Sequence, residues 1–375
     1  MANKEIRLMK FEADENFDII VDELANLAAN ACAREYPKLI SVDVMNSADY
    51  QAKNEEVKKA MLAYACAKSG ITVKNETDMM FASDNSTFVS VLNSIEVRAI
   101  AKMMVRYDNP QISAIAEIET IKPGASRTYE IDTKSLPVVQ KGNYQSNITN
   151  VPPFVKSSVT LTPQMYTLGT SVDFIRLLAN GYDWGFATAR IYAAMIVAQY
   201  KVVVSKVFST SILSGTPLYV ATFALNTYTQ LAEDIGMLNG GGANDVVALG
   251  TRTAFNAISG TATSGGFMTK DEYIRGSYLK EICGVPSVVM EQFTDFSIPF
   301  TSGNASTLRA IPNNLIVLVS QGKDKIVKLV REDYIRAKAI DAVDNTLNRM
   351  EYSYSQAFEA GIATASHFGV QNTAT

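Results

Sequence analysis

A long hairpin between Glu117 and Thr162 is the feature of this sequence that most constrains its fold. Strands are predicted outward over Ile115–Thr120 and Ser126–Asp132 and inward over Phe154–Leu161, because these segments are rich in β-branched and aromatic residues. The chain between them is too polar to form a core. It is interrupted by turn-forming pairs at Pro123-Gly124, Gly142-Asn143 and Pro152-Pro153.

Such a hairpin is long enough to reach a neighbouring molecule. If each limb holds about 15 extended residues at ~3.3 Å each, the arm spans ~50 Å. A compact chain of 375 residues has a radius of gyration of only about 21 Å. The sequence therefore predicts an arm that projects beyond its own subunit and lies on a neighbour, as in a protein that builds a shell.

A long apolar helix is predicted over 182–213, with Asp183 as its N-cap after Asn180-Gly181. At ~1.5 Å per residue it would span ~48 Å. The β-branched run at 202–204 lowers its intrinsic helix propensity, so packing must stabilise it. Periodicity alone leaves open a plain buried core helix. The residues predicted to pack are Phe186, Ile196, Tyr200, Val204 and Phe208.

The first 111 residues are predicted to be mostly helical, with amphipathic segments at Asp14–Glu35, Ala48–Ser69 and Ser86–Tyr107. Two interpretations fit this pattern. One is an ordinary helical domain, and the other is an arm whose apolar stripes pack on the rest of the subunit or on its neighbours.

Beyond Ser214, strands alternate with helices, which predicts a second, compact α/β module. Predicted helices lie at Thr251–Ser259 and Met268–Ile282, the latter ended by Gly284. Tyrosines at 352 and 354 alternate with polar residues, which predicts a late strand that returns to the base of the arm. Further strands are predicted at Asp245–Gly250, Val285–Gln292, Leu315–Ser320 and Lys325–Arg331, the last two paired across a turn at 321–324.

Composition argues against several classes of protein. A hydrophobic content of 47% supports a substantial core divided between two domains, and a net charge of −4 argues against a basic groove for nucleic acid. The three scattered cysteines are typical of reduced thiols. With neither a signal-peptide pattern nor an apolar run of membrane-spanning length, the sequence predicts a soluble intracellular protein.

The sequence offers little catalytic chemistry. Its one histidine, His367, has no cysteine nearby, so a histidine metal site or a Ser-His-Asp set cannot be assembled within one chain. Asp324, Glu332 and Asp333 lie on or near predicted turns and are expected to be solvated. We therefore predict no catalytic residue, metal or cofactor, while sites shared across subunits stay open.

The order of these parts resembles the major capsid protein of tailed double-stranded DNA bacteriophages, which has the Hong Kong 97-like fold, over residues 95–370. The resemblance is carried by ETIKPG at 119–124 with RTYEID at 127–132, and by VTLTP at 159–163 with SVDFI at 171–175. The long helix and the later ALGT at 248–251 and GVP at 284–286 complete the series. Specificity lies in the order and spacing of these segments.

The resemblance implies an α+β fold with four parts. It places a mostly helical N-terminal arm or region at 1–111 and an extended loop, a β-hairpin, at 112–165. A peripheral domain covers 166–217 and 336–375 and includes a spine helix at 182–213, while an axial α/β domain covers 218–335. Candidate intersubunit contacts in the extended loop are Arg127, Tyr129, Lys134, Lys141, Tyr144 and Phe154.

In function, the resemblance implies a structural protein that forms hexamers and pentamers and closes them into an icosahedral shell around a packaged genome. Its partners would be copies of itself, portal and scaffolding proteins, with decoration proteins as a further class. It would enclose double-stranded DNA without sequence-specific binding, use no cofactor and bind no membrane. The implied location is the virion, with assembly in the bacterial host cytoplasm.

Two alternatives remain at this point. An encapsulin-type nanocompartment uses the same fold to enclose an enzyme, and the long N-terminal region and elaborate loop favour the virus over it. A cytosolic oligomeric α/β enzyme with the hairpin as a dimerisation arm is disfavoured by the missing catalytic constellation.

Overall fold

The computed structural model describes residues 15–73, 78, 82, 85–107, 109–132, 156–173, 183–208, 218–264, 280–292, 301, 309–321, 324–340, 349–364 and 366–373. Helices and strands are both abundant within them, which confirms the α+β class. The first helices are α1 (Glu15–Glu35), α2 (Ser47–Ser69), α3 (Ser86–Arg106) and α4 (Pro110–Ile115). Next come β1 (Ala116–Ile121), β2 (Arg127–Asp132), β3 (Lys156–Leu161), β4 (Gln164–Asp173) and the long helix α5 (Trp184–Val207).

The second half of the chain alternates short strands with helices before ending in long strands. Its elements are β5 (Leu218–Val220), α6 (Leu225–Leu238), β6 (Val246–Gly250), α7 (Arg252–Ser264), β7 (Glu281–Ile282), β8 (Val285–Val289), β9 (Leu315–Ser320), β10 (Val327–Ile340), β11 (Arg349–Ile362) and β12 (Gly369–Asn372).

Short polar side chains fix where the helices begin. The carboxylate of Asp183 accepts a hydrogen bond from the backbone N–H of Phe186, which confirms the predicted N-cap of α5. Asn46 and Asn85 cap α2 and α3 in the same way. Gly70, with φ of 72°, ends α2 in the left-handed region that glycine adopts without strain.

The first large sheet has the strand order β1-β10-β11-β4. β1 runs parallel to β10, and the other neighbours are antiparallel. Helices α3 and α5 pack on this sheet, and α1 packs on both of them. One continuous hydrophobic core joins these layers, with large buried side chains Phe17, Leu24, Met61, Ile95, Tyr192, Tyr200 and Phe358. The N-terminal helices therefore belong to the body of the subunit.

Helix α5 is shorter in the structure than the predicted 182–213. It ends at Val207, the backbone of Phe208 forms its C-cap, and residues 209–213 lie outside the described part of the chain. Ile196, Tyr200 and Val204 are buried, as is Phe208, whereas Phe186 is half-buried.

The second large sheet has the order β5-β12-β9-β6-β8-β7. It contains the alternation of strands and helices expected after residue 214. A separate hydrophobic cluster lies between this sheet and helices α6 and α7, and every residue of β6 is buried. Tyr228, Phe255, Ile258, Ile316 and Leu318 belong to this cluster.

The predicted hairpin between 315–320 and 325–331 is wrong. β9 has the predicted bounds but pairs with β6 and β12, whereas β10 pairs with β1 and β11 in the other sheet. β10 is 14 residues long, and its side chains Val327 and Leu329 are buried in the core beneath the helices. β9 and β10 therefore belong to different sheets, because burying these side chains outweighs closing a local hairpin.

This pairing also shifts the predicted domain limits. β10 begins at Val327, inside the segment assigned to the axial domain. It nevertheless lies in the first large sheet, on which the long helix α5 packs. β12 at Gly369–Asn372 was assigned to the peripheral domain but pairs with β9 in the second sheet. The late tyrosine-rich strand behaves as predicted, because β11 pairs with β4, which directly follows the hairpin.

The predicted helix end at Gly284 is also wrong. Residues 268–279 lie outside the described part of the chain, but Glu281–Ile282 form a strand that pairs with β8. Cys283 and Gly284 both have positive φ, of 55° and 79°. Two successive left-handed residues form the tight turn of a β-hairpin, so the glycine serves a hairpin and not a helix cap.

The face of α5 can be tested by placing the same charge at two adjacent positions. Val204→Asp buries an unpaired carboxylate at a site that is 1% exposed, so we expect a loss of about 3 kcal/mol or more in the free energy of unfolding. Ser205→Asp lies on the exposed side and should change stability by less than about 0.5 kcal/mol. Urea unfolding of both variants measures the difference, and equal stabilities would contradict the placement of the buried face.

Candidate assembly surface

β2 and β3 form a two-stranded antiparallel ribbon outside both large sheets. Arg127 pairs with Leu161 at its base, and Asp132 pairs with Lys156 at the outer end of the described part. We call these paired strands the ribbon. They lie within the predicted extended loop at 112–165, whose first strand, β1, belongs instead to the first large sheet.

The two faces of the ribbon differ in polarity. Side chains alternate along a strand, and directly paired residues share a face. Tyr129, Ile131, Val159 and Leu161 therefore lie on one face, the apolar face, with Arg127 and Ser157. Thr128, Glu130, Ser158 and Thr160 lie on the other, the polar face, where all four are exposed. On the apolar face Leu161 is buried, while Tyr129, Ile131 and Val159 are half-buried.

The apolar face begins on the side of the first sheet opposite the helices. In β11, Tyr354 and Gln356 form hydrogen bonds with residues of α3 and α5, so their side chains face the helices. Because side chains alternate along a strand, Gly361 faces the opposite side of the sheet. Leu161 packs over Gly361, where a Cβ atom would overlap the leucine side chain. A glycine in this strand thus makes room for the base of the ribbon.

Glu119 of β1 joins the base of the ribbon to the sheet. Its carboxylate accepts hydrogen bonds from the Tyr129 hydroxyl at 2.7 Å and from the Arg127 Nε at 3.1 Å. Burial, followed by the hydrogen bond to Glu119, raises the pKa of Tyr129. The hydroxyl therefore stays a donor at neutral pH, and the Arg127 and Tyr129 side chains are held where the ribbon leaves the body.

Lys328 of β10 lies beneath this base. Its ammonium group bonds to the carboxylates of Glu117 and Asp324, and it lies 5.9 Å from the centre of the Tyr129 ring. Burial lowers the pKa of Lys328, but the hydrogen bonds to Asp324 and Glu117 outweigh it and raise the pKa overall. The lysine is therefore charged, and the acidic pair fixes its position under the ribbon.

A bulge in β10 supplies the last anchor. The β10–β11 register shifts between Arg331 and Ile335, and the Glu332 carboxylate accepts a hydrogen bond of 2.8 Å from the N–H of Gly124. Gly124 has φ of 76° in the turn between β1 and β2. Glu332 was expected to be solvated, but it is 7% exposed because the bulge turns it toward this turn.

Of the six contact candidates in the loop, Arg127 and Tyr129 lie at the base of the ribbon. Lys134, Lys141, Tyr144 and Phe154 lie outside the described residues. Sequence analysis missed Glu119, Lys328 and Glu332, because their roles depend on strands that are distant in sequence. The one local signal for this site was the spacing of Glu117 and Glu119, which lie two residues apart and therefore on the same face of β1.

The described residues contain no group of three or more histidine, cysteine, aspartate or glutamate side chains that could hold a metal. His367 is exposed, and its backbone pairs with the Asn239 amide. A membrane-spanning helix is absent from the part of the chain that the structure describes.

No protein-family model matches the chain, and no curated protein matches it in sequence. Its matches among solved structures are mostly phage capsids and encapsulins. The capsid of the cyanophage P-SCSP1u is 13% identical with a TM-score of 0.43, covering 68% of this chain and 86% of that one. The capsid of the native GTA particle is 13% identical with a TM-score of 0.46, covering 71% and 90%.

The holo-SrpI encapsulin complex from Synechococcus elongatus is 11% identical with a TM-score of 0.42, covering 70% of this chain and 87% of that one. With TM-scores below 0.5, these likenesses do not decide what the chain does. We therefore base the functional proposal on the geometry of the ribbon and its anchors.

The role of Glu119 can be tested separately from folding. Glu119→Ala removes the acceptor for Tyr129 and Arg127, so we expect faster amide hydrogen exchange in 127–132 and a change in unfolding free energy below about 1 kcal/mol. Ser158→Ala, on the exposed polar face, should leave both unchanged. Unaltered exchange in Glu119→Ala would show that the carboxylate does not hold the ribbon.

Proposed function

We propose that this chain is the major capsid protein of a tailed phage, a structural subunit that assembles into hexamers and pentamers and closes them into an icosahedral head shell. The observation that carries the proposal is the ribbon, which leaves the subunit body with its apolar face only partly covered.

The ribbon needs a partner to be well ordered. An isolated two-stranded hairpin is marginally stable in water, and beyond its base the described residues offer this ribbon little to pack against. Covering Ile131 and Val159 with a neighbouring subunit would bury apolar area without enlarging either core. The anchors at Glu119, Lys328 and Glu332 fix the direction of the ribbon beforehand, so docking costs less conformational entropy.

This mode of contact also favours rings. A ribbon that docks on a different surface of the next subunit makes a heterologous contact, and such contacts form closed rings when the rotation per subunit closes. Hexamers and pentamers are rings of this kind. Many modest contacts repeated around a shell then give a strong assembly.

The proposed content of the shell is double-stranded DNA, held without sequence-specific binding. The net charge of −4 supports this, because an inner wall without a strongly basic surface would not trap DNA during packaging. Portal, scaffolding and decoration proteins are the proposed partners besides the chain itself. Assembly would take place in the host cytoplasm, and the mature protein would reside in the virion.

Adjacent lysine substitutions on the two faces of the ribbon test this function. Val159→Lys places a charge on the apolar face and should prevent shell formation while leaving the thermal unfolding of the subunit unchanged, because the ribbon lies outside the core. Ser158→Lys adds the same charge to the polar face, opposite Glu130, and should assemble normally. Sedimentation velocity measures the assembled fraction of each.

Normal shells from Val159→Lys would contradict docking through the apolar face. Particles filled with nucleic acid would support the phage capsid, whereas an enzyme co-purifying inside them would indicate a nanocompartment. Failure of both variants to assemble, with the wild type assembling, would mean that both faces of the ribbon are needed.

A further inference from the structure

Two buried polar contacts hold helix α3 on the first sheet. The Tyr354 hydroxyl of β11 donates a hydrogen bond of 2.6 Å to the Glu96 carboxylate, and these side chains are 0% and 3% exposed. Further along the helix, the Arg331 guanidinium of β10 donates a hydrogen bond of 2.6 Å to the backbone carbonyl of Met104. Arg331 is 4% exposed. Both contacts lie between the helical layer and the sheet.

The spacing of these contacts along α3 matches the spacing of their partners along the strands. Glu96 and Met104 are separated by about 12 Å along the helix, at ~1.5 Å per residue. Arg331 pairs with Phe358, which lies about 13 Å along β11 from Tyr354, at ~3.3 Å per residue. The two distances agree, so the contacts secure the middle and the C-terminal end of the same helix.

Of these two contacts, only the one at Glu96 includes a group that titrates near neutral pH. Burial raises the pKa of Glu96 to about 7, although the hydrogen bond from Tyr354 lowers it. Arginine keeps its charge at any pH that proteins tolerate, so the contact at Met104 persists.

The groups that face Glu96 do not neutralise it when it ionises. Tyr354 of β11 is the donor, and the Gln199 amide of α5 is engaged with Gln356 at 3.0 Å. Arg331 of β10 is bound to the carbonyl of Met104, which lies a little more than two turns beyond Glu96 on α3. Among the described residues no ion pair includes Glu96, so its negative charge would be enclosed with a single hydrogen bond.

We propose that Glu96 and Tyr354 form a pH-sensitive latch between α3 and the first sheet. Protonated Glu96 holds the middle of α3 on β11. When Glu96 ionises, its enclosed charge weakens the packing there, while Arg331 retains the C-terminal end. This property belongs to the folded subunit and does not depend on shell assembly.

The sign of the effect follows from linkage. Since the pKa of Glu96 is raised by folding, the stabilisation is complete below the ordinary pKa of 4.5, is lost as the pH rises toward about 7, and changes no further above it. The difference between a pKa of 4.5 and one of about 7 corresponds to roughly a 300-fold change in the unfolding equilibrium constant. The local loosening of α3 is centred near the higher of these two pKa values, about 7.

Glu96→Gln is the matched variant, because its amide oxygen still accepts from Tyr354 but cannot ionise. We expect the unfolding constant of the wild type, measured in urea, to rise relative to that of Glu96→Gln by roughly 300-fold in total from well below pH 4.5 to well above pH 7, and to level off at both ends of that interval. Tyr354→Phe removes the donor that favours the ionised form, so the upper end of this change should move to higher pH.

Amide hydrogen exchange, corrected for the intrinsic exchange rates, shows which part of α3 loosens when Glu96 ionises. Exchange in 88–97 should be faster at pH 8 than at pH 6 in the wild type and not in Glu96→Gln, with 99–106 constant in both. Parallel stability curves for the wild type and Glu96→Gln would overturn the proposal. If Glu96→Gln does not fold, infrared spectroscopy of the wild type with labelled glutamate decides. A protonated carboxyl band at pH 6 that disappears by pH 8 supports the latch, and its absence at pH 6 overturns it.

Discussion

The burial of α5 on most of its sides is the constraint on which the rest of this structure depends. It contacts α1 and α3 on one side and the first sheet on the other, and its solvent-exposed positions are confined to a narrow strip at Arg190, Ala194 and Ser205. A helix so apolar has to be enclosed. The N-terminal helices supply part of that enclosure and the sheet supplies the rest, so neither would form a stable core alone.

Enclosing α5 uses one face of the first sheet. The ribbon begins on the opposite face, where Gly361 gives Leu161 space to pack. The acidic side chains of β1 and the bulge in β10 then fix the ribbon before any partner arrives. In this account, assembly depends on the direction of the ribbon, and that direction is set by side chains that are mostly buried.

Local signals predicted much of the fold and little of the site. The N-cap Asp183, the left-handed Gly70 and the bounds of α2 and β9 all follow from neighbouring residues. The pairing of β10 with β1 does not follow from neighbouring residues. The two parallel strands come from distant parts of the chain, and their contact gains its stability from the shared core. The hydrogen bond between Glu332 and Gly124 joins positions 208 residues apart, and that between Tyr354 and Glu96 joins positions 258 apart. Glu332 was therefore expected to be solvated, because the residues near it in the sequence give no sign of a buried partner.

The central claim is that copies of this chain build a closed shell. Negative-stain electron microscopy of the purified wild-type chain, with light scattering on the same sample, tests it most directly. The account predicts closed particles or rings of five and six subunits. A chain that remains a monomer or dimer, even with a phage scaffolding protein supplied, would contradict it.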